Sequence, residues 1–346
     1  MNHMRIAVIG AGGIAQRNAI EAVKSGAATV TGVFDVNLQA ARDLAAKVQA
    51  KTYASFEEAI ANSDVDAVML STPHHLHRPQ TLAAAAAGKH VLVEKPIANT
   101  LDDANAMIDA CERAGVAMAV NYSFRYLPKI QKARELVQAG ALGDITGIQV
   151  IQHQFKDLGY WMGARSTSPD DWRSSREKSG GGFLIMSVCH NVDYLYFITG
   201  LKGTRVYSEY ATLGSPGNVE DIISVTSRWG DKAVGTISAS SILRGADAAE
   251  ERIWGTKGTL VINDKGLSLY STRPIDGKKP GRVHHYAKFE ESSWTADWIR
   301  AFVEAVRLGK RPEVSAQEGW ENLAFIESAY RSMEVGAPIS VPTYVR

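Results

Sequence analysis

A chain of 346 residues is too long for one ordinary hydrophobic core and points to two domains. Its 38 Lys and Arg stand against 37 Asp and Glu, which excludes a basic field for nucleic acid and an acidic tail and leaves a small molecule as the expected partner. Cys111 and Cys189 are too few for a disulfide framework and lack metal-ligand spacing, and no apolar run approaches the ~20 residues of a membrane span, so the chain reads as cytoplasmic, off the membrane and without a metal.

The chain begins with an apolar run over residues 6–9, as expected of a strand buried on both faces, and turns at once into Gly10-Ala11-Gly12-Gly13-Ile14-Ala15. This is G-x-G-x-x-A opening a helix. Gly10 permits the tight turn, Gly12 lets the backbone approach a pyrophosphate, and Ala15 is small enough for the helix to pack on the strand. The amides of Gly13 and Ile14 then face the phosphates. A second strand over 30–34 ends in Asp35, about the distance downstream at which a dinucleotide fold presents an acid to the adenosine ribose. A carboxylate there accepts from a 2′-hydroxyl and repels a 2′-phosphate, so NAD is favoured over NADP. Arg42 on the next helix is the nearby cation a 2′-phosphate could use, and an N-cap role for Asp35 is compatible with ligand binding.

Strands and helices then alternate: helix 56–61, strand 67–70, helix 76–87, strand 90–93, helix 101–114 stopped by Gly115, and strand 116–120. Such alternation predicts a doubly wound parallel sheet with ligands at the carboxyl ends of its strands. The polar segments fall at those ends: the glycine turn, Asp35, Ser71-Thr72-Pro73-His74-His75-Leu76-His77, Glu94-Lys95-Pro96 and Asn121-Tyr122. His74, His75 and His77 have metal-like density, but no acid or cysteine lies close by in sequence.

The amino-terminal G-x-G-x-x-A, the Thr-Pro-x-x-x-His of residues 72–77, Glu94-Lys95-Pro96, and Asn121 to Pro128 with Arg125-Tyr126-x-Pro128 together resemble the glucose-fructose oxidoreductase/inositol dehydrogenase (Gfo/Idh/MocA) family. The resemblance covers nearly the whole chain. It implies an α/β protein: an NAD-binding Rossmann domain over 1–122, then an α+β domain over 123–346 with an open, mainly antiparallel sheet, the last helix packing back on the first domain. It also implies that Lys95 lies beside the nicotinamide and the reacting carbinol. There it would hydrogen-bond the substrate hydroxyl and help remove its proton as hydride leaves. Ser71, Thr72, Pro73, His77, Glu94 and Asn121 are then expected along the cofactor, with Glu94 orienting its loop, and Tyr122 and Arg125 toward the substrate.

In the second half, residues 130–139 read as a helix and 145–155 as a long strand. Residues 157–181 show little periodicity and hold Tyr160, Trp161, Asp170, Asp171, Trp172, Arg173 and Arg176. Aromatic faces mixed with carboxylates and guanidinium groups suit a sugar or cyclitol. A substrate lid using Tyr160, Trp161, Trp172 and Arg173 is expected, or else a loop at a subunit contact. Gly180-Gly181-Gly182 then leads into a helix over 183–199. In the family this helix delivers an Asp and, four residues on, a His to the nicotinamide. His190 matches the histidine, and Met186 stands at the aspartate. The missing carboxylate would have oriented the imidazole, and Met186 makes that wall less polar, as an anhydro or deoxy sugar would allow.

Strands are expected over 204–213, 219–229, 233–241, 250–254, 259–263 and 267–270, with closing helices over 294–308 and 317–330. Thr236, Ser238 and Ser240 alternate on one strand face, flat enough to pack against a second copy, so a homodimer or homotetramer through this sheet is expected; a solvated face is the alternative. The favoured function is NAD-dependent oxidation of a secondary hydroxyl of a sugar, anhydro sugar or cyclitol, with Lys95 and His190 catalytic. The alternatives are a non-catalytic NAD-binding sensor or subunit and a C=N or C=C reductase on the same fold.

Overall fold

The computed structural model describes residues 3–162, 171–245, 247–289 and 292–345; Asp170 and the middle of the proposed lid lie outside them. The chain divides into two compact units, Met1–Tyr126 with Ser293–Trp320, and Leu127–Ser292 with Glu321–Arg346. The first unit thus runs to Tyr126 and also holds the helix Trp294–Arg307 and the start of the last helix, Ala316–Val335. Among the described residues no helix is long and apolar enough to cross a membrane.

The first unit is built on β1 (Met4–Ile9), β2 (Ala28–Phe34), β3 (Lys51–Thr52), β4 (Ala67–Leu70), β5 (His90–Val93) and β6 (Met118–Val120). They form one parallel sheet in the order β3-β2-β1-β4-β5-β6. Ile6, Ala7, Val8 and Ile9 are all fully buried, which is why this strand reads as a continuous apolar run. The order reverses at β1, where β2 leads to one edge and β4 to the other. That switch point opens a crevice beyond the carboxyl ends of the strands, the place where doubly wound sheets bind ligands. The two-residue β3 has no periodicity to announce it.

The second unit carries β7 (Ile145–His153), β8 (Gly203–Ala211), β9 (Ile222–Trp229), β10 (Ala233–Ser240), β11 (Ala248–Gly255), β12 (Gly258–Asn263), β13 (Gly266–Ser271), β14 (Val283–Tyr286) and β15 (Ile339–Ser340). Among the described residues they form one sheet in the order β14-β13-β12-β11-β7-β10-β9-β8-β15. It is mainly antiparallel; β10 beside β7 is a parallel pair. Buried Ile148, Val150, Ile237, Ile253 and Leu260 define its inner face. On the other face the register sets Val234, Gly147, Trp254, Thr259, Tyr270 and Val283 side by side across six strands. Gly147 is required in that row because the Trp254 ring occupies the space of any side chain there, 2.1 Å from a built Cβ. β14 and β15 lack alternating apolar residues and were not expected from sequence.

The expected helix over 183–199 forms, but with a different start. Leu184–Val188 is a π turn, and the α-helix proper is Cys189–Thr199, closed by Gly200 in the left-handed conformation. Because a π turn bonds i to i+5, Met186 and His190 are not related as they would be in a regular α-helix.

Candidate active site

In the first unit the glycine turn has the shape its sequence demands. Gly10 has φ +98°, and a Cβ there would lie 2.6 Å from the Ser71 carbonyl oxygen, so both backbone conformation and space require glycine. At Gly12 and Gly13 a built Cβ meets nothing within 4 Å. The helix Gly13–Lys24 begins at Gly12 without a side-chain cap, leaving its first turn to an anion. Ile14 is exposed beside it. Asp35 accepts from the Ala11 amide at 2.6 Å through Oδ2 and from the Asn37 amide at 2.8 Å through Oδ1. The helix that follows, Leu38–Lys47, is capped by Asn37 and not by Asp35, since Asn37 Oδ1 accepts from the Ala40 amide.

The helix after β1 and the loops after β5 and β6 are tied together around Glu94. This side chain is buried, and its Oε1 accepts from Asn18 Nδ2 at 2.6 Å and from Asn121 Nδ2 at 2.5 Å. Oε2 lies 3.3 Å from the Lys95 amide as acceptor. Burial pushes the Glu94 carboxyl above its ordinary value, opposed by the Lys95 charge and the two amides. Glu94 thus orients the segment from which the half-buried Lys95 projects. The Lys95–Pro96 peptide is cis.

His77 makes the second tie. It is fully buried, with Nδ1 3.0 Å from the Pro96 carbonyl oxygen and Nε2 3.1 Å from that of Thr72. The imidazole therefore links the Ser71-Thr72-Pro73 turn to the Lys95 loop, while Thr72 Oγ1 donates to Gln80 Oε1 at 2.6 Å. Burial pushes the ring down to about 4, against the opposing pull of the Thr72, Pro96 and Ile97 main chain. A folded value below the ordinary 6.5 means that the unfolded chain takes up the proton first. The stability contributed by His77 is then complete above about pH 6.5 and is lost as the pH falls toward 4. Over that window the wild type should lose up to about 3 kcal/mol more stability than a His77→Gln variant, read from denaturant midpoints at pH 7 and pH 4.5. Parallel acid limbs would remove His77 as the cause.

Tyr122 and Arg125 are buried within the same unit, Arg125 Nη1 donating to Glu318 Oε1 at 2.8 Å. Among the described residues no three His, Cys, Asp or Glu side chains gather as a metal would need.

The second unit brings several of the expected substrate residues together. The Tyr160 hydroxyl lies 3.8 Å from Met186 Sδ, and the Tyr160 ring meets Trp161 edge-on at 5.1 Å between centroids. The Arg173 guanidinium stands 4.5 Å over Trp172 and 5.8 Å from Tyr160, with Lys156 Nζ 4.9 Å from the Tyr160 ring. Trp161 and Met186 are buried; Tyr160, Trp172, Arg173 and His190 are half-buried. His190 is flanked by two fixed neighbours. Asn322 Nδ2 donates to the Cys189 carbonyl oxygen at 2.9 Å, and Asn191 Nδ2 donates to Glu251 Oε1 at 2.6 Å and to the Tyr194 hydroxyl at 2.7 Å.

Sequence reading missed Asn18, Glu220, Glu251, Asn322 and Tyr330 as supporting residues. Glu220 and Glu251 are both buried, and burial pushes each carboxyl up to about 7. An acid within an apolar strand pattern, as at Glu251 before Ile253, was the available signal.

A glycine turn with open space at Gly12 and Gly13, an acid after β2 and a doubly wound parallel sheet define an NAD-binding Rossmann oxidoreductase. Residues 4–122 match the oxidoreductase family with NAD-binding Rossmann fold, GFO/IDH/MocA, and residues 130–261 match the GFO/IDH/MocA C-terminal domain. The chain belongs to this family. It is similar to a 1,5-anhydro-D-fructose reductase of Ensifer adhaerens, 27% identical over 346 residues and covering 98% of this chain and 99% of that one. A myo-inositol 2-dehydrogenase of Thermotoga maritima is 26% identical over 339 residues, 96% of each chain. In fold it resembles a levoglucosan dehydrogenase solved with NADH and levoglucosan, at a TM-score of 0.87 and 20% identity over 99% of this chain and 100% of that one.

Proposed function

We propose that this protein oxidises a secondary hydroxyl of a sugar, anhydro sugar or cyclitol with NAD, or reduces the corresponding ketone. The observation that carries the reading is Lys95 itself, a half-buried amine set at the carboxyl end of β5 by the Glu94 and His77 ties. The named activities of its full-length relatives support the substrate class. The first unit fits the cofactor: besides the open glycine turn, Ser71 Oγ and Asn121 Oδ1 are buried without a hydrogen-bond partner among the described residues. Gly10, Gly12, Gly13 and Ile14 would hold the pyrophosphate, Asp35 the ribose, and Ser71, Thr72, Pro73, Glu94 and Asn121 would line the rest.

Bound NAD supplies the hydride acceptor. Lys95 Nζ holds the substrate hydroxyl oxygen and takes its proton as C=O forms, assisted by His190. Tyr122, Arg125, Tyr160, Trp161, Trp172, Arg173 and Met186 orient the sugar. Met186, with the Tyr160 hydroxyl on its sulfur, favours a substrate edge poor in hydroxyls, as in an anhydro or deoxy sugar. Met186→Asp should then shift preference toward fully hydroxylated substrates.

The reading is tested by NADH formation over a panel of monosaccharides, anhydro sugars and inositols; silence across the panel would leave a non-catalytic NAD-binding role. Repeating it with NADP tests Asp35. Asp35→Ser should raise the KM for NAD by roughly tenfold, about 1.4 kcal/mol for the lost ribose hydrogen bonds, and narrow the gap to NADP. We also propose that the exposed row of Val234, Trp254, Tyr270 and Val283 is the contact of a homodimer or homotetramer, which sedimentation of the wild type and of Trp254→Glu would reveal.

A further inference from the structure

The segment entering the His190 helix has four main-chain amides to satisfy before regular helical bonding begins, and two residues far away in sequence satisfy all of them. Gly182 N donates to Glu220 Oε2 at 2.5 Å, Phe183 N to the Glu220 carbonyl oxygen at 3.0 Å, Leu184 N to Glu220 Oε1 at 2.8 Å, and Ile185 N to the Tyr330 hydroxyl at 3.3 Å. That hydroxyl in turn donates to Glu220 Oε1 at 2.9 Å. Met186 N then makes the first bond along the helix, to the Gly182 carbonyl oxygen at 3.0 Å. Gly182, Phe183, Leu184 and Ile185 are buried, as are Glu220 and Tyr330, so none of these amides has water as a substitute partner.

The preceding glycines complete the fit. A Cβ on Gly181 would lie 2.4 Å from the Tyr330 hydroxyl oxygen, and one on Gly182 would lie 1.9 Å from the Glu220 carbonyl oxygen. The two glycines are therefore the imprint of Glu220 and Tyr330 on the helix entrance. Met186 follows one turn later, inside the π segment.

We infer that Glu220 and Tyr330 are positioning residues, a seat that fixes where Met186 stands and hence the shape of the substrate wall. The inference rests on the reading of Met186 as part of that wall. Neither residue touches the reacting atoms; each acts through the main chain of 182–186. A carboxylate suits the place because its two oxygens accept three hydrogen bonds at once, from the main-chain amides of Gly182 and Leu184 and from the Tyr330 hydroxyl. The Gln amide that would replace it turns one acceptor into a donor facing an N–H.

The test uses full-length protein with [methyl-13C]methionine and the variants Glu220→Gln and Tyr330→Phe. The Met186 methyl signal, assigned by Met186→Leu, should shift or broaden in both variants while those of Met4, Met69 and Met107 stay in place and the Kd for NADH stays within twofold. Tyr330→Phe keeps the carboxylate and provides the reading if Glu220→Gln does not fold. If levoglucosan or myo-inositol is oxidised, its KM should rise about tenfold with kcat within threefold, the loss of binding that is uniform along the reaction. An unmoved Met186 signal in the folded variants overturns the inference. So does a common shift of all methionine signals with a parallel loss of NADH affinity, which would mark general loosening. If neither polyol is oxidised the substrate reading suffers, and the Met186 signal still decides this one.

Discussion

Replacing Lys95 by alanine should lower turnover by about 10³-fold while the Kd for NADH changes less than threefold. Asp35, proposed for the ribose, is held by the main-chain amides of Ala11 and Asn37, and the Gly10 turn by its own backbone conformation. Glu94 keeps its hydrogen bonds to Asn18, Asn121 and the residue-95 amide, which alanine retains; what alanine removes is the Lys95 charge that opposes the rise of the Glu94 carboxyl. The variant is therefore expected to fold and to quench on NADH addition as the wild type does. Lys95→Arg separates charge from proton transfer, since a guanidinium keeps the cation but does not release a proton near neutrality. It should be as inactive as the alanine variant. Recovery of turnover with arginine would reduce Lys95 to an electrostatic role, and full activity of Lys95→Ala would remove it from the chemistry.

Gly182→Ala should be the most damaging single methyl group in the second unit. Its Cβ would stand 1.9 Å from the Glu220 carbonyl oxygen, 2.6 Å from Oε2 and 2.7 Å from the Glu220 amide nitrogen. Two of those neighbours are backbone and the third is a buried carboxylate already holding Leu184 and Tyr330, so nothing flexible can give way. The helix entrance must move, and the amides of Gly182 and Phe183 lose acceptors in a place without water. An unsatisfied buried amide costs about 1–3 kcal/mol, so with the steric displacement the total should exceed about 4 kcal/mol, a drop in Tm on the order of 10 °C. Gly12→Ala is the contrasting case. A Cβ there meets nothing within 4 Å, so Tm should stay within about 2 °C, while the added methyl fills the approach to the pyrophosphate and should weaken NADH binding by roughly tenfold or more. Scanning calorimetry and NADH fluorescence on the two variants separate these outcomes, and equal Tm losses would contradict the assignment of the two glycines.

Particular residues show what was legible. Gly10 could be read from sequence because its role is local: a strand ends, the chain turns, and the helix begins within five residues. Lys95 could be read because β5 is short and apolar and the lysine follows its end. Asp35 is expected at the ribose from its place after β2; its two main-chain donors carry no such signal, and the cap of the following helix belongs to Asn37. His77 was expected along the cofactor; that its two ring nitrogens meet the Thr72 and Pro96 carbonyl oxygens could not be foreseen, because the Pro96 contact spans 19 residues. Arg125 was expected toward the substrate, and its ion pair with Glu318 lies 193 residues away. The π turn at Met186 was hidden for a related reason: its sequence is as compatible with a regular α-helix, and the wide turn appears where nonlocal acceptors hold the entering amides.

The sequence by itself determined the parallel sheet, the dinucleotide turn, the mainly antiparallel second sheet and the lysine at the end of β5, because periodicity, glycine placement and strand ends are properties of neighbouring residues. Tertiary structure alone decided how those parts are held. Asn18 reaches Glu94 across 76 residues, Glu220 reaches Gly182 across 38, and Tyr330 reaches Glu220 across 110. A buried carboxylate must collect its hydrogen bonds from whatever the fold brings beside it, and that choice follows from packing and leaves no spacing in the chain to read.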